Sequence, residues 1–181
     1  TNELALVARA TAEPAAFAAI YDHYFPRVYN YVRYRVGVAD AADDITAQTF
    51  ERALAGIGHY RPERAPFAAW LFAIARNAVT DHLRAQRRRR WLSLDVLRNQ
   101  SSNKPLPEQV AIRAETRAEL LAALAGLSNR ERDVVALKFA AGLTNRRIAE
   151  LTGLSANHVG VILYRALRRL RAGLGPKEQI S

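Results

Sequence analysis

Residues 66–90, PFAAWLFAIARNAVTDHLRAQRRRR, constrain this chain more than any other stretch, because they join a long apolar-faced helical pattern to a run of arginines. At about 100° per residue, Phe67, Leu71, Ile74 and Ala78 fall on one stripe that can bury, while Ala69, Ala73, Arg76, Thr80 and Arg84 point the opposite way. Trp70 and Asn77 lie two turns apart on a flank. Pro66 suits a first helical position, where its missing N–H needs no partner and its φ is already helical. Taken alone, the stripe fits an ordinary core helix with a solvated tail. Five arginines among the seven residues 84–90 repel one another, however, and a polyanion would relieve that repulsion. The helix is therefore read as facing nucleic acid.

Charge along the chain supports this reading. The net charge of +10 over 181 residues is unevenly placed. Residues 1–60 carry five basic and seven acidic groups, 61–90 eight and two, 91–127 four and four, and 128–181 ten and four. Two basic blocks around a neutral spacer suggest two contacts on one extended polyanion. The absence of cysteine excludes disulfides, thiolate metal ligands and a cysteine nucleophile. His23, His59, His82 and His158 show no ligand spacing, so neither a metal site nor a cofactor is expected. No carboxylate pair, nucleophile with a base, or phosphate-cradling glycine loop points to an enzyme, and no catalytic residue is assigned. With no apolar run near 18 residues and no signal pattern, the chain is expected to be soluble and cytoplasmic, without membrane insertion.

The pattern is helical from end to end, with no sustained two-residue alternation. Residues 4–10 give a short helix, and Pro14 opens a second in which Phe17, Ile20, Tyr21 and Tyr24 share a face. Pro26 is expected to break and restart it, and Val28, Tyr31, Val32 and Arg35 continue at helical spacing until Gly37. Asp40 is the expected N-cap of the next helix, with Asp43 and Asp44 in its first turn and a stripe of Ala42, Ile45, Thr49, Ala53 and Ile57. Residues 59–65 form a loop. Residues 92–107 lose all periodicity and read as a flexible linker, and pattern returns at Glu108. Ser128 and Glu131 form a capping box before Val134, Val135, Leu137 and Phe139. The fold class is all-α, in two small helical bundles: residues 1–91, then the linker 92–107, then residues 108–181.

Residues 144–174 suit a helix-turn-helix: Ala149 permits close helix approach, Gly153 takes the positive φ of the turn, and Ser155 caps the second helix. In that helix Val159, Ile162, Leu163, Ala166, Leu170 and Leu174 point inward. Ala156, Asn157, Gly160, Val161, Tyr164, Arg165 and Arg168 are left outward. In a major-groove reader the start of this helix touches base edges, and Arg165 and Arg168 would meet phosphates.

DAADDITAQTFERA at 40–53, PFAAWLFAIARNAVTDHLR at 66–84, LSNRERDVVALKFAAGLTNRRIAELTGLS at 127–155 and LYRALRRLR at 163–171 together resemble the extracytoplasmic-function sigma factors of bacterial RNA polymerase. They occur in the family's order over almost the whole chain. The resemblance implies a region 2-like domain that binds the clamp helices of the largest polymerase subunit and melts the minus-ten element. It implies a region 4-like domain that reads the minus-thirty-five element and meets the flap of the second-largest subunit. Promoter DNA, core polymerase and an anti-sigma factor or other inhibitor are the implied partners.

By position in the family, the clamp-facing set is Asp43, Asp44, Gln48 and Arg52. The minus-ten set is Tyr60, Arg61, Arg64, Trp70, Arg76, Asn77, Arg84, Arg87 and Arg88. The minus-thirty-five set is Arg146, Arg147, Ser155, Asn157, His158, Tyr164, Arg165 and Arg168. The chemistry agrees, because a melted base needs a stacking surface and a donor–acceptor group for its edge. Where the family commonly has Gln and Glu, this chain has Ala47 and Gln48, which moves weight onto Asp43 and Asp44. Gly160 and Ile162 stand where the family commonly has Lys and Arg, which moves readout onto Asn157, His158, Tyr164 and Arg165. The rival reading is a self-sufficient helix-turn-helix repressor or activator. With two readers on a pliable strap, the halves are expected to tumble partly independently or to be held together by an inhibitor.

Overall fold

The computed structural model describes residues 3–92 and 108–174, and apart from Leu92 the expected linker lies outside them. Among the described residues, every regular element is helical: α1 (Glu3–Ala12), α2 (Phe17–Val36), α3 (Ala39–Gly56), α4 (Phe67–Leu92), α5 (Glu108–Ala125), α6 (Asn129–Phe139), α7 (Asn145–Thr152) and α8 (Ala156–Leu174), with short 3-10 turns at Pro14–Ala16 and Ile57–His59.

Pro26 does not interrupt α2, which runs continuously through it. A proline there leaves the carbonyl of Asp22 without its helical donor, but Asp22 and Pro26 are both exposed, so water can serve that carbonyl. Ile20 and Tyr24 before the proline and Val28, Tyr31 and Val32 after it are all fully buried, which keeps the two turns in line. Gly37 ends the helix as expected, at φ 78°, with its N–H donating to the carbonyl of Arg33.

Asp40 is not the cap of α3. The helix begins at Ala39 after an extended Val38 that offers no side-chain cap. Asp40 thus lies in the first turn, and Asp43 and Asp44 lie two residues further in than expected, in the second turn. The expected stripe of Ala42, Ile45, Thr49, Ala53 and Ile57 is buried, and the Thr49 hydroxyl donates to the Ile45 carbonyl at 2.7 Å.

Pro66 precedes α4 by one residue, and its carbonyl accepts the N–H of Trp70 at 3.2 Å. Phe67, Leu71 and Ala78 bury as expected, but so do Phe72, Ala75 and Val79, and Ala69, assigned outward by its angle, is 5% exposed. The apolar arc is wider than one stripe because α2, α3 and α7 all pack on this helix.

The second bundle packs α5, α6 and α7 on α8. The capping box is present: Ser128 Oγ accepts from the Glu131 N–H at 3.3 Å, and Glu131 Oε2 accepts from the Ser128 N–H at 3.0 Å. Thr144 caps α7 and Gly153 turns the chain at φ 72°. Val159, Ile162, Leu163, Ala166 and Leu170 face inward. The two bundles touch one another through α2 against α6 and α4 against α7, and their buried side chains form one contiguous cluster.

Candidate nucleic-acid interface

The loop before α4 builds an aromatic support. Tyr60 is only 7% exposed; its hydroxyl donates to the Ala65 carbonyl at 2.9 Å, and its ring meets the edge of Phe67 at 5.4 Å. Trp70, half-buried, lies 5.4 Å from Tyr60 and 5.3 Å from Phe67. Tyr60 is thus a buttress beneath Trp70. Arg61 is exposed and donates to the carbonyls of Gly58 and Tyr60, both at 3.1 Å, and Arg64 is exposed beside it.

Along α4, Trp70, Asn77 and Arg84 recur every seven residues and so lie near one line, about 21 Å long at 1.5 Å per residue. Asn77, Arg84, Arg87 and Arg88 are exposed. An indole edge, a free amide and a set of guanidiniums in that order offer stacking, edge hydrogen bonding and phosphate contact to a strand laid along the helix.

Arg76 is held elsewhere. Its Nε donates to Asp133 Oδ2 at 2.8 Å and its Nη1 donates to the Leu151 carbonyl at 3.1 Å. Asp133, 6% exposed on α6, also accepts from the Tyr31 hydroxyl at 2.9 Å. The Arg35 Nε stands 3.1 Å from Asp133 Oδ1, off the line of a hydrogen bond, while its Nη1 donates to the Asn129 carbonyl at 3.2 Å. Burial first, and then the Asp133 carboxylate, push the Tyr31 phenol well above its usual range, so it stays a donor at any physiological pH. None of Asp133, Tyr31 and Arg35 is among the site residues expected from sequence. A signal was present, because Arg35 sits on the buried stripe of Tyr31 and Val32, and Asp133 adjoins Val134 and Val135. A charge on an apolar face calls for a buried partner of opposite sign.

In α3, Asp44, Gln48 and Arg52 follow one another at four-residue spacing with Asp43 alongside, and all are exposed. On the second bundle Arg146 and Arg147 both bond Glu150, at 3.3 and 2.6 Å. The Arg147 hydrogen bond, followed by the charges of Arg147 and Arg146, holds the Glu150 carboxyl below its usual range. The Ser155 Oγ accepts the His158 N–H at 3.2 Å, so Ser155 acts as the cap of α8. Asn157, His158, Tyr164, Arg165 and Arg168 are exposed along α8, with the Arg168 guanidinium 5.8 Å from the Tyr164 ring centre. Val161 is also exposed, so the outer face of α8 is mixed rather than purely basic.

A helix-turn-helix whose second helix has an exposed outer face, joined in one chain to a helix with a half-buried tryptophan and an exposed asparagine and arginine line, has the form of a DNA-binding transcription factor. Two family models match in that order: Sigma-70 region 2 over residues 20–89 and Sigma-70 region 4 over residues 117–170. The chain is 36% identical to the ECF RNA polymerase sigma factor BldN of Streptomyces coelicolor over 91% of its own length, and spans 63% of that relative. It is 31% identical to SigD of Mycobacterium tuberculosis, covering 92% of this chain and 81% of that one. Its fold is similar to that of the sigma factor RpoE from Bartonella quintana, solved with the anti-sigma factor NepR, at a TM-score of 0.71 and 23% identity over 87% of this chain and 96% of that one. The chain belongs to the ECF RNA polymerase sigma factors.

Proposed function

We propose that this chain is a dissociable subunit that gives core RNA polymerase its promoter preference and helps open the DNA, with no reaction of its own. The ordered match to regions 2 and 4, over two separately exposed surfaces, carries the reading. Trp70, Asn77 and the arginines of α4 serve the minus-ten strand. The outer face of α8 serves the minus-thirty-five duplex, with Arg146 and Arg147 of α7 at its backbone. Asp43, Asp44, Gln48 and Arg52 meet a basic polymerase surface, and the subunit works in the cytoplasm where polymerase works. An anti-sigma partner is part of the proposal, supported by the complex in which RpoE was solved. Among the described residues, no helix is long and apolar enough to cross a membrane and no acidic, histidine or cysteine group is arranged to hold a metal.

Asn77→Ala is expected to weaken open-complex formation by about 1–3 kcal/mol, the scale of one base contact, while leaving polymerase binding nearly unchanged. The side chain is exposed, so the fold should tolerate the change. Permanganate footprinting of the variant holoenzyme checks this, and melting at the wild-type level would refute the assignment.

Replacing Asp43 and Asp44 together by asparagine is expected to weaken core-polymerase binding, most strongly at low salt. Both lie beyond the first turn of α3, so their removal should barely alter helix stability. Unchanged affinity in a titration at moderate salt would show that these carboxylates do not face the polymerase.

A further inference from the structure

The first two turns of α8 carry no guanidinium or ammonium group. From Ala156 to Leu163 the exposed side chains are Ala156, Asn157, His158 and Val161, and the first basic residue of the helix is Arg165. In the major groove guanine is read chiefly by an arginine or lysine, adenine by the amide of asparagine or glutamine, and thymine by an apolar contact with its methyl group. The start of a recognition helix is the part that touches base edges. Here that start lacks the guanine reader and holds both of the others.

Asn157 and Val161 are four residues apart, so they lie side by side on one face, about 6 Å apart along the axis. Val161 is 46% exposed, an apolar group held outward among Asn157, Tyr164 and Arg165. Gly160 makes room beside it. This glycine lies inside α8 without a positive φ, and a Cβ added there would meet nothing nearer than the Asn145 amide nitrogen of α7, at 3.9 Å. Neither backbone nor packing therefore demands glycine at 160. Its effect is a notch in the outer face, flanked by Asn157, Val161 and Tyr164, with the Asn145 amide as its floor. His158 is 100° round from Asn157, on the flank shared with Arg165. Arg165 and Arg168 follow one and two turns beyond Val161, in the part of the helix that meets phosphates.

We propose that α8 reads its duplex element through adenine–thymine pairs: Asn157 bonds an adenine edge, and Val161 packs on a thymine methyl group seated in the notch over Gly160. This rests on the assignment of α8 to the minus-thirty-five duplex. Val161 and Gly160 are then specificity-determining residues, and the methyl group is the feature that they sense.

The test uses the holoenzyme on a promoter whose upstream element has been located by mapping start sites. Each thymine of that element is replaced in turn by deoxyuridine, which removes the methyl group and leaves the pairing intact, and promoter-complex formation is measured. At one position the loss should be about fourfold, the worth of one buried methyl group. Val161→Ala should show a similar loss on the thymine promoter and no further loss with deoxyuridine at that position. Gly160→Arg, which restores a forked cation to the notch, should gain a preference of roughly tenfold for guanine at the facing pair. Circular dichroism of both variants checks that the helices are kept. Tolerance of deoxyuridine at every position, or an upstream element without adenine–thymine pairs, would overturn methyl reading while leaving the sigma assignment standing. Equal sensitivity to deoxyuridine in wild type and Val161→Ala would overturn the role of Val161, and an unchanged base preference in Gly160→Arg would show that the notch does not face the groove. If the wild-type protein forms no promoter-specific complex with polymerase, the sigma reading falls and this one falls with it.

Discussion

Phe72→Ala is expected to lower stability by about 3–5 kcal/mol, the usual cost of truncating a buried aromatic ring. Phe72 is fully buried near the start of α4, with its ring set edge-on to Tyr31 at 5.7 Å and the Arg27 guanidinium 5.7 Å from its centre. Those two neighbours are the ones whose polar ends reach Asp133 and the Ala141 carbonyl of the second bundle. A cavity beneath them therefore loosens the first core and also the support of the contact between bundles. Urea unfolding followed by circular dichroism should show a midpoint lowered by the corresponding amount with little change in slope. A loss below about 1 kcal/mol would mean that α2 and α4 can collapse onto the gap, contrary to the close packing around Phe72.

Asp133→Ala is expected to destabilise the closed arrangement by about 2–4 kcal/mol. Breaking a buried ion pair by removing one partner typically costs 3–5 kcal/mol, because the remaining charge is left uncompensated. Two features set the value lower. The Arg76 side chain is 31% exposed, so water screens part of its charge, and opening returns Arg35 to solvent as well. The loss should consequently appear as separation of the bundles: one unfolding transition in the wild type, two in the variant. Hydrogen exchange would localise it, with faster exchange where α2 faces α6 and unchanged protection inside α8. A single transition at the wild-type midpoint would contradict this energy assignment.

Much of the fold could be read directly from local chemistry. Gly37 and Gly153 adopt the positive φ expected of helix ends, the Ser128–Glu131 box closes, and the inward set of α8 is buried almost residue for residue. Each of these depends on residues within a few positions of one another, so the sequence pattern carries them. Pro26 and Asp40 show where local rules yield to packing. The stripes on either side of Pro26 belong to one core, and Ala39 starts its helix without a polar cap. The same holds for Arg76, which is held by Asp133 of α6 and the Leu151 carbonyl of α7, elements distant in sequence. Tyr31 and Asp133 are 102 positions apart, and no periodicity links them. Of the candidate site, Asn77, Arg84 and the outer face of α8 stand exposed where their helical angles put them, whereas Tyr60 turns inward because its hydroxyl has a carbonyl partner in its own loop.

Transcription in vitro, with core polymerase from the same source as this chain, tests the central claim most directly. Adding the protein should produce start sites absent with core polymerase alone. Mapping them should reveal two shared upstream elements, one melted near minus ten and one read as duplex near minus thirty-five. Failure to redirect the polymerase, together with tight binding of the isolated protein to a palindromic site, would contradict the account and identify a self-sufficient repressor or activator instead.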